Sequence, residues 1–231
     1  TIEAGIIIKE FFITGLAKKI LILAPPSLLL QWQDEMLSKF NMDFVEQKSD
    51  KRFINASSHD LLLMSHASAV FPNYVEALKN VFWDLVVVDE AHSMKNSQTL
   101  KHKLVRDLPK RNLLLLSATP MQNNLSELYN MIDLLRPGYL GTLQEFEEKY
   151  ANDKNSRSLN PMFREELQNI LSKIVIRTTR KECSEYIKFT DRIPHTKVLT
   201  PTENEAELYE KITDVIRDAY NSSKNSNFLA L

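Results

Sequence analysis

The sequence predicts an α/β fold with a central, mostly parallel sheet covered by helices on both faces. Short runs of nearly pure Leu, Ile and Val recur through the first two thirds of the chain, and helical patterns separate them, which is the arrangement of a doubly covered sheet. At 231 residues, 43% hydrophobic and 26% charged, the chain is large enough for one domain with an extension.

The segment from Thr1 to Thr14 reads two ways. Ile6, Ile7 and Ile8 favour a strand, while the run around them is long enough for a buried helix. Strands are expected at Ile20 to Ala24, Leu61 to Ser65, Leu85 to Val88 and Leu113 to Ser117, because uninterrupted apolar runs suit strands buried on both faces. Between the first two, Pro25, Pro26 and Ser27 open a helix carrying Leu29, Trp32, Met36, Leu37 and Phe40 on one face. After the last, Leu125, Leu128, Ile132 and Leu135 recur at helical spacing, with Asn124 and Glu127 spaced as a reciprocal cap. Pro137 and Gly138 stop that helix.

From Thr142 the texture becomes polar and helical, with a loop rich in Asn, Ser and Lys at 152–161. A returning strand is expected at about 174–179. A last amphipathic helix, from about Glu203 to Tyr220, sets Leu208, Ile212, Val215 and Ala219 on one side. The division expected is therefore a sheet domain over 1–141 and a helical extension over 142–231 that completes it.

A net charge of -1 argues against a globally basic nucleic-acid binder, though a groove needs only a few well-placed donors. The basic residues from Lys95 to Arg111 read as a solvated helix face. Cys183 is the only cysteine, which excludes an intramolecular disulfide and a multi-cysteine metal cage and favours a reducing compartment. Glu3, Lys9, Glu10, Lys18 and Lys19 interrupt the apolar start, so neither a secretory segment nor a membrane span fits. The expectation is a soluble, intracellular protein: cytoplasmic, with the nucleoid if bacterial or the nucleus if eukaryotic.

Chemistry concentrates at Leu85 to His92, a four-residue apolar strand followed by Asp89, Glu90, Ala91 and His92. Open parallel sheets bind ligands beyond the carboxyl ends of their strands. An Asp emerging there can hold hydrated magnesium against nucleotide phosphates, and the adjacent Glu can orient or deprotonate the attacking water. The same acidic pair could instead cap a following helix. A second strand ends in Ser117, Ala118, Thr119 and Pro120. There Ser117 and Thr119 could hydrogen-bond His92 and report the nucleotide state, although Ser/Thr turns ended by proline are common.

Strand plus DEAH followed by strand plus SATP resembles motifs II and III of superfamily two helicases. The continuation Pro120 to Leu128, PMQNNLSEL, is similar to the Swi/Snf family of double-stranded DNA translocases. Ile22 to Trp32 resembles the family's motif Ia and Leu61 to Ala67 its motif Ib. Leu135 to Gly141, Phe146, Tyr150, Ile176 to Arg180, Pro194 and Glu205 to Tyr209 agree with the remainder of its first lobe. The resemblance thus spans nearly the whole chain.

The resemblance implies a RecA-like P-loop NTPase lobe that uses ATP and Mg2+. It implies a magnesium role for Asp89, a water-activating role for Glu90, and a coupling role for His92, Ser117, Thr119 and Gln122. The opening TIEAG resembles the continuation of a Walker A loop, which makes Thr1 the magnesium-ligating hydroxyl and the first segment a helix; the loop's glycines and lysine have no counterpart here. DNA-backbone contact is implied at Pro25, Pro26, Ser27, Gln31, Ser65 and His66. For Trp32, core packing is the simpler expectation.

Family members complete the site with a second RecA-like lobe, including an arginine whose loss alone costs about a thousandfold or more in rate. No counterpart follows residue 220, so this stretch alone is expected not to hydrolyse ATP. The expected partners are duplex DNA, that second lobe and a DNA-bound protein target, with no membrane. Two readings stay open beside the translocase: a catalytically silent DNA- or protein-binding module, and a strand-separating DEAH-type helicase.

Overall fold

Ile20–Ala24 (β1) is the central strand of a five-stranded, all-parallel sheet, with Val45–Gln47 (β2) and Leu61–Ser65 (β3) on one side. Trp83–Val88 (β4) and Lys110–Leu115 (β5) lie on the other, giving the order β2-β3-β1-β4-β5. The computed structural model describes residues 1–47, 58–118, 125–152, 158–178, 190 and 193–223. The chain divides into two units, Thr1–Ile176 and Arg177–Leu231.

The apolar strands are buried on both faces because adjacent side chains point to opposite sides. Leu21, Leu23, Val86 and Val88 enter one core with Tyr74, Leu78, Leu104, Val105, Met131 and Leu134. Those partners come from Pro72–Lys79 (α3), Leu100–Asp107 (α4) and Leu125–Leu135 (α5). Ile20, Ile22, Leu85 and Val87 enter the other core, with Ala4, Ile8, Trp32 and Met36. These lie on Ile2–Ile13 (α1) and Leu29–Phe40 (α2). Each fully buried aliphatic side chain contributes about 1.5–3 kcal/mol.

The ambiguous first segment is therefore a helix. Its buried face is narrow, with Ala4, Gly5 and Ile8 turned inward, and Gly5 packs so closely on α2 that an added Cβ would fall 2.2 Å from the Phe40 ring. Asn41, at φ 50°, closes α2 in the left-handed conformation, a C-terminal position that Asn tolerates well.

Leu143–Tyr150 (α6) opens on a capping box between Thr142 and Glu145. With Arg164–Leu171 (α7) it forms a small third core of Leu125, Phe146, Tyr150 and Leu167. The expected strand at 174–179 is not formed over the described residues 174–178. The Ile174 and Val175 N–H groups both donate to Leu171 O, at 2.9 and 2.8 Å. These bonds extend the end of α7 and occupy the first two donors of the expected strand, and Ile176 is exposed.

In the second unit, Glu203–Ser223 (α8) begins with reciprocal bonds between Thr202 and Glu205. Its stripe of Leu208, Ile212 and Val215 is exposed. No helix of the described residues is long and apolar enough to cross a membrane.

Candidate nucleotide site

The carboxyl ends of β3, β1, β4 and β5 form one rim. Leu23 pairs with Val88, Ala24 with Ser65, and Val88 with Leu115. From β1 the chain runs first to the β3 side and later to β4 on the opposite side, so the switch in strand order falls between β1 and β4. Ligands of open parallel sheets bind at that crevice.

Asp89 leaves β4 directly beside it. Its N–H donates to Leu23 O at 2.8 Å, continuing the sheet for one more residue. Its carboxylate takes two donors: the Glu90 N–H reaches Oδ1 at 2.8 Å and the Trp32 indole N–H reaches Oδ2 at 2.8 Å. Each oxygen keeps a second lone-pair site.

Glu90 turns the chain sharply, with φ 48° and ψ 48°. A left-handed conformation at a non-glycine residue costs on the order of 1–3 kcal/mol and persists where its surroundings enforce it. Here the short 3-10 turn Ala91–Met94 supplies that enforcement. The Ala91 N–H donates to Leu116 O at 2.8 Å, and the His102 ring donates through Nδ1 to Met94 O at 2.8 Å. Asn130 Nδ2 donates to Lys95 O at 2.9 Å while Lys95 pairs with Glu127 at 3.0 Å. The Asp89 carboxylate thus faces α2, and the Glu90 carboxylate lies 3.0 Å from His92 Nδ1 instead.

The structure brings together Asp89, Glu90 and His92, and the Ala91–Leu116 bond sets the end of β5, with Ser117 next in the chain, against the turn that carries His92. Thr119 and Gln122 lie outside the described residues. Thr1 caps the start of α1 through its carbonyl, which accepts the Gly5 N–H at 2.8 Å; its side chain makes no capping bond.

Of the residues expected at DNA, Pro26, Ser27 and Gln31 are exposed on the turn and first helical residues after β1, and Pro25 is half-buried. Ser65 and His66 are not. The Ser65 hydroxyl is consumed inside a buried turn, where Oγ accepts the Ser68 N–H at 2.9 Å and lies 2.7 Å from Ser68 Oγ. His66 is only 6% exposed, and both ring nitrogens are buried, with no well-aligned hydrogen bond. Burial first, and the Lys101 charge second, push its pKa down to about 4, against the opposing pull of the Asp89 backbone and carboxylate. In this conformation neither side chain is offered to a surface phosphate.

Residues 5–230 match the model of the SNF2-related domain. The chain belongs to that family.

Among relatives of this SNF2-related domain, an uncharacterised ATP-dependent helicase of Bacillus subtilis, YqhH, is 38% identical over 96% of the chain. The DNA repair and recombination protein RAD54B of mouse is 25% identical over 84%, and the yeast chromatin-remodelling ATPase ISW2 is 26% identical over 88%. The chain spans 38%, 23% and 18% of the length of these three proteins. A solved Sulfolobus solfataricus SWI2/SNF2 ATPase core in complex with double-stranded DNA superimposes with a TM-score of 0.65 at 29% identity. That match covers 74% of this chain and 36% of the other. The fold is accordingly RecA-like.

Sequence reasoning missed the hydrogen bond of Trp32 to Asp89. Trp32 is fully buried, as core packing requires, but a buried indole N–H also needs an acceptor, and that need was the available signal.

Proposed function

We propose that this SNF2-related domain is the first ATPase lobe of a duplex-DNA translocase that hydrolyses ATP to move along DNA and remodel protein–DNA complexes. The observation that carries the reading is the split at the end of β4: two neighbouring carboxylates, Asp89 and Glu90, held at the sheet's switch crevice with separate partners.

Asp89 fits a hydrated magnesium ion, since both oxygens are fixed and each keeps a free lone-pair site. Among the described residues no group of three or more His, Cys, Asp or Glu could hold a metal ion. Magnesium here would therefore rely on one carboxylate, water and nucleotide phosphates, which is how it is commonly bound. The metal supplies charge neutralisation at the phosphates. Thr1, at the start of α1, is the second candidate for its shell.

Glu90 orients or deprotonates the attacking water, and His92 braces the Glu90 carboxylate. Ser117, with Thr119 and Gln122, links this corner to the nucleotide state. Ser27 and Gln31 offer DNA a hydroxyl, the Ser27 N–H and an amide side chain, suited to phosphates and indifferent to base sequence, on a turn whose path Pro25 and Pro26, which carry no N–H, hold. The His66 N–H donates to Ala24 O at 3.1 Å, next to the start of this turn. A second RecA-like lobe completes the site.

The test uses the intact protein of which this chain is a part. ATP hydrolysis stimulated by duplex DNA, without strand displacement, is expected; efficient strand displacement favours the strand-separating reading. Absence of ATP binding favours the silent module.

A further inference from the structure

We infer that Trp32 is a positioning residue for Asp89, and that its indole N–H, beyond its bulk, is required for the magnesium–nucleotide site to work. This rests on the reading of Asp89 given above. Trp32 is wholly buried, packed in the core that also holds Ala4, Ile8, Ile22 and Val87. Its one polar atom reaches 57 residues along the chain to Asp89 Oδ2, at 2.8 Å.

Packing alone does not call for an indole. A phenyl or aliphatic side chain fills a core without a polar atom to satisfy, and a buried N–H left unpaired is costly. The other tryptophan shows the alternative: the Trp83 Nε1–H donates to Leu78 O at 3.1 Å, a backbone carbonyl five residues away. Trp32 instead spends its donor on the side chain proposed to face the metal.

The consequence is geometric. The Glu90 N–H alone, on Oδ1, would leave the carboxylate free to rotate about the bond that carries it. A second donor on Oδ2 fixes the carboxylate plane, and with it the directions of the remaining lone pairs. Partners of this kind, one shell out from a metal, typically change activity or metal affinity by about tenfold to a hundredfold. Trp32 also stands on α2, the helix entered through Pro26 and Ser27. The donor that orients Asp89 is therefore carried by the same short helix as the proposed DNA surface.

The decisive variant replaces Trp32, in the intact protein, by benzothienylalanine, which keeps the bicyclic shape with sulfur in place of the N–H. Trp32→Phe serves as a second variant, and melting temperatures establish that each is folded. The expected result is a fall in turnover of about tenfold to a hundredfold with a raised magnesium requirement. Independently of activity, the Nε1–H resonance of Trp32 in 15N-tryptophan-labelled protein, assigned by its loss in Trp32→Phe, is expected to shift on adding magnesium–ADP and on Asp89→Asn. Wild-type turnover and magnesium dependence in the folded isostere, or a resonance indifferent to Asp89→Asn, overturns the inference. Should Asp89→Asn itself hydrolyse ATP at the wild-type rate, the reading of Asp89 falls as well; an inactive Asp89→Asn beside a wild-type isostere overturns this inference alone.

Discussion

His92 Nδ1 lies 3.0 Å from Glu90 Oε2, with both side chains a little over one third exposed at 38% and 39%. The pair is a close contact and not an aligned hydrogen bond, so it can tighten when a substrate orders Glu90. His92→Ala in the intact protein should lower kcat by about tenfold while leaving the KM for ATP nearly unchanged. A raised KM with kcat intact assigns His92 to ground-state binding instead.

Gly5 sets two opposing effects against each other. An alanine in the first turn of α1 gains up to about 1 kcal/mol of helix propensity, but its Cβ would stand 2.2 Å from Phe40 Cε2. Overpacking of this kind costs about 1–3 kcal/mol, and the ring is the wall of a packed helix pair. Gly5→Ala should therefore lower the urea midpoint, and adding Phe40→Leu should recover part of the loss. A higher midpoint for Gly5→Ala alone shows that the ring moves aside freely.

Lys110 closes the end of α4. Its Nζ donates to Val105 O at 2.7 Å, Arg106 O at 3.2 Å and Leu108 O at 3.3 Å. These carbonyls sit at or just beyond the last turn of the helix, where a cation is favourable. Lys110→Met keeps the stem and removes the donors; it should cost about 1–3 kcal/mol in denaturant unfolding. A cost near zero means that water replaces the ammonium without loss.

His102 predicts a pH dependence. Burial holds its pKa below the ordinary value of 6.5, helped by Arg106 and opposed by the Met94 carbonyl, Asp133 and Asp107. A depressed pKa means the folded state disfavours the protonated ring. The stability it contributes is present above about 6.5 and is lost as pH falls below that value, by at most about 1.4 kcal/mol per pH unit for one proton. His102→Asn should make the stability profile below about pH 6.5 shallower by the share of His102, leaving the share of buried His66, whose pKa is lowered to about 4. A profile that keeps its slope places the acid-sensitive group elsewhere.

The heart of the fold was readable because its signals are local. Leu85 to Val88 form a strand buried on both faces, and Asp89 and Glu90 follow in the next two positions. The strand expected at Leu113 to Ser117 was legible but not in its extent: β5 runs from Lys110 to Leu115 and its leucines are only half-buried, since no strand pairs with its outer edge among the described residues. Val45–Gln47 escaped notice because three residues, two of them polar, carry no pattern; pairing with β3 makes them a strand. Polar α4 was legible as a solvated basic face, but not its buried stripe, which is only His102, Leu104 and Val105. Tertiary facts were the least accessible. Nothing local reports that Trp32 finds Asp89, or that His66, one residue past a strand end, is folded beneath the surface.

In the proposed reading, Glu90 acts on the attacking water while Asp89 serves the magnesium–nucleotide complex. Glu90→Gln in the intact protein keeps the shape of the left-handed turn and removes the charge. ATP binding, followed by displacement of a fluorescent nucleotide, should stay close to wild type while DNA-stimulated ATP hydrolysis is abolished. Hydrolysis at the wild-type rate by the Glu90→Gln protein overturns the role assigned to Glu90.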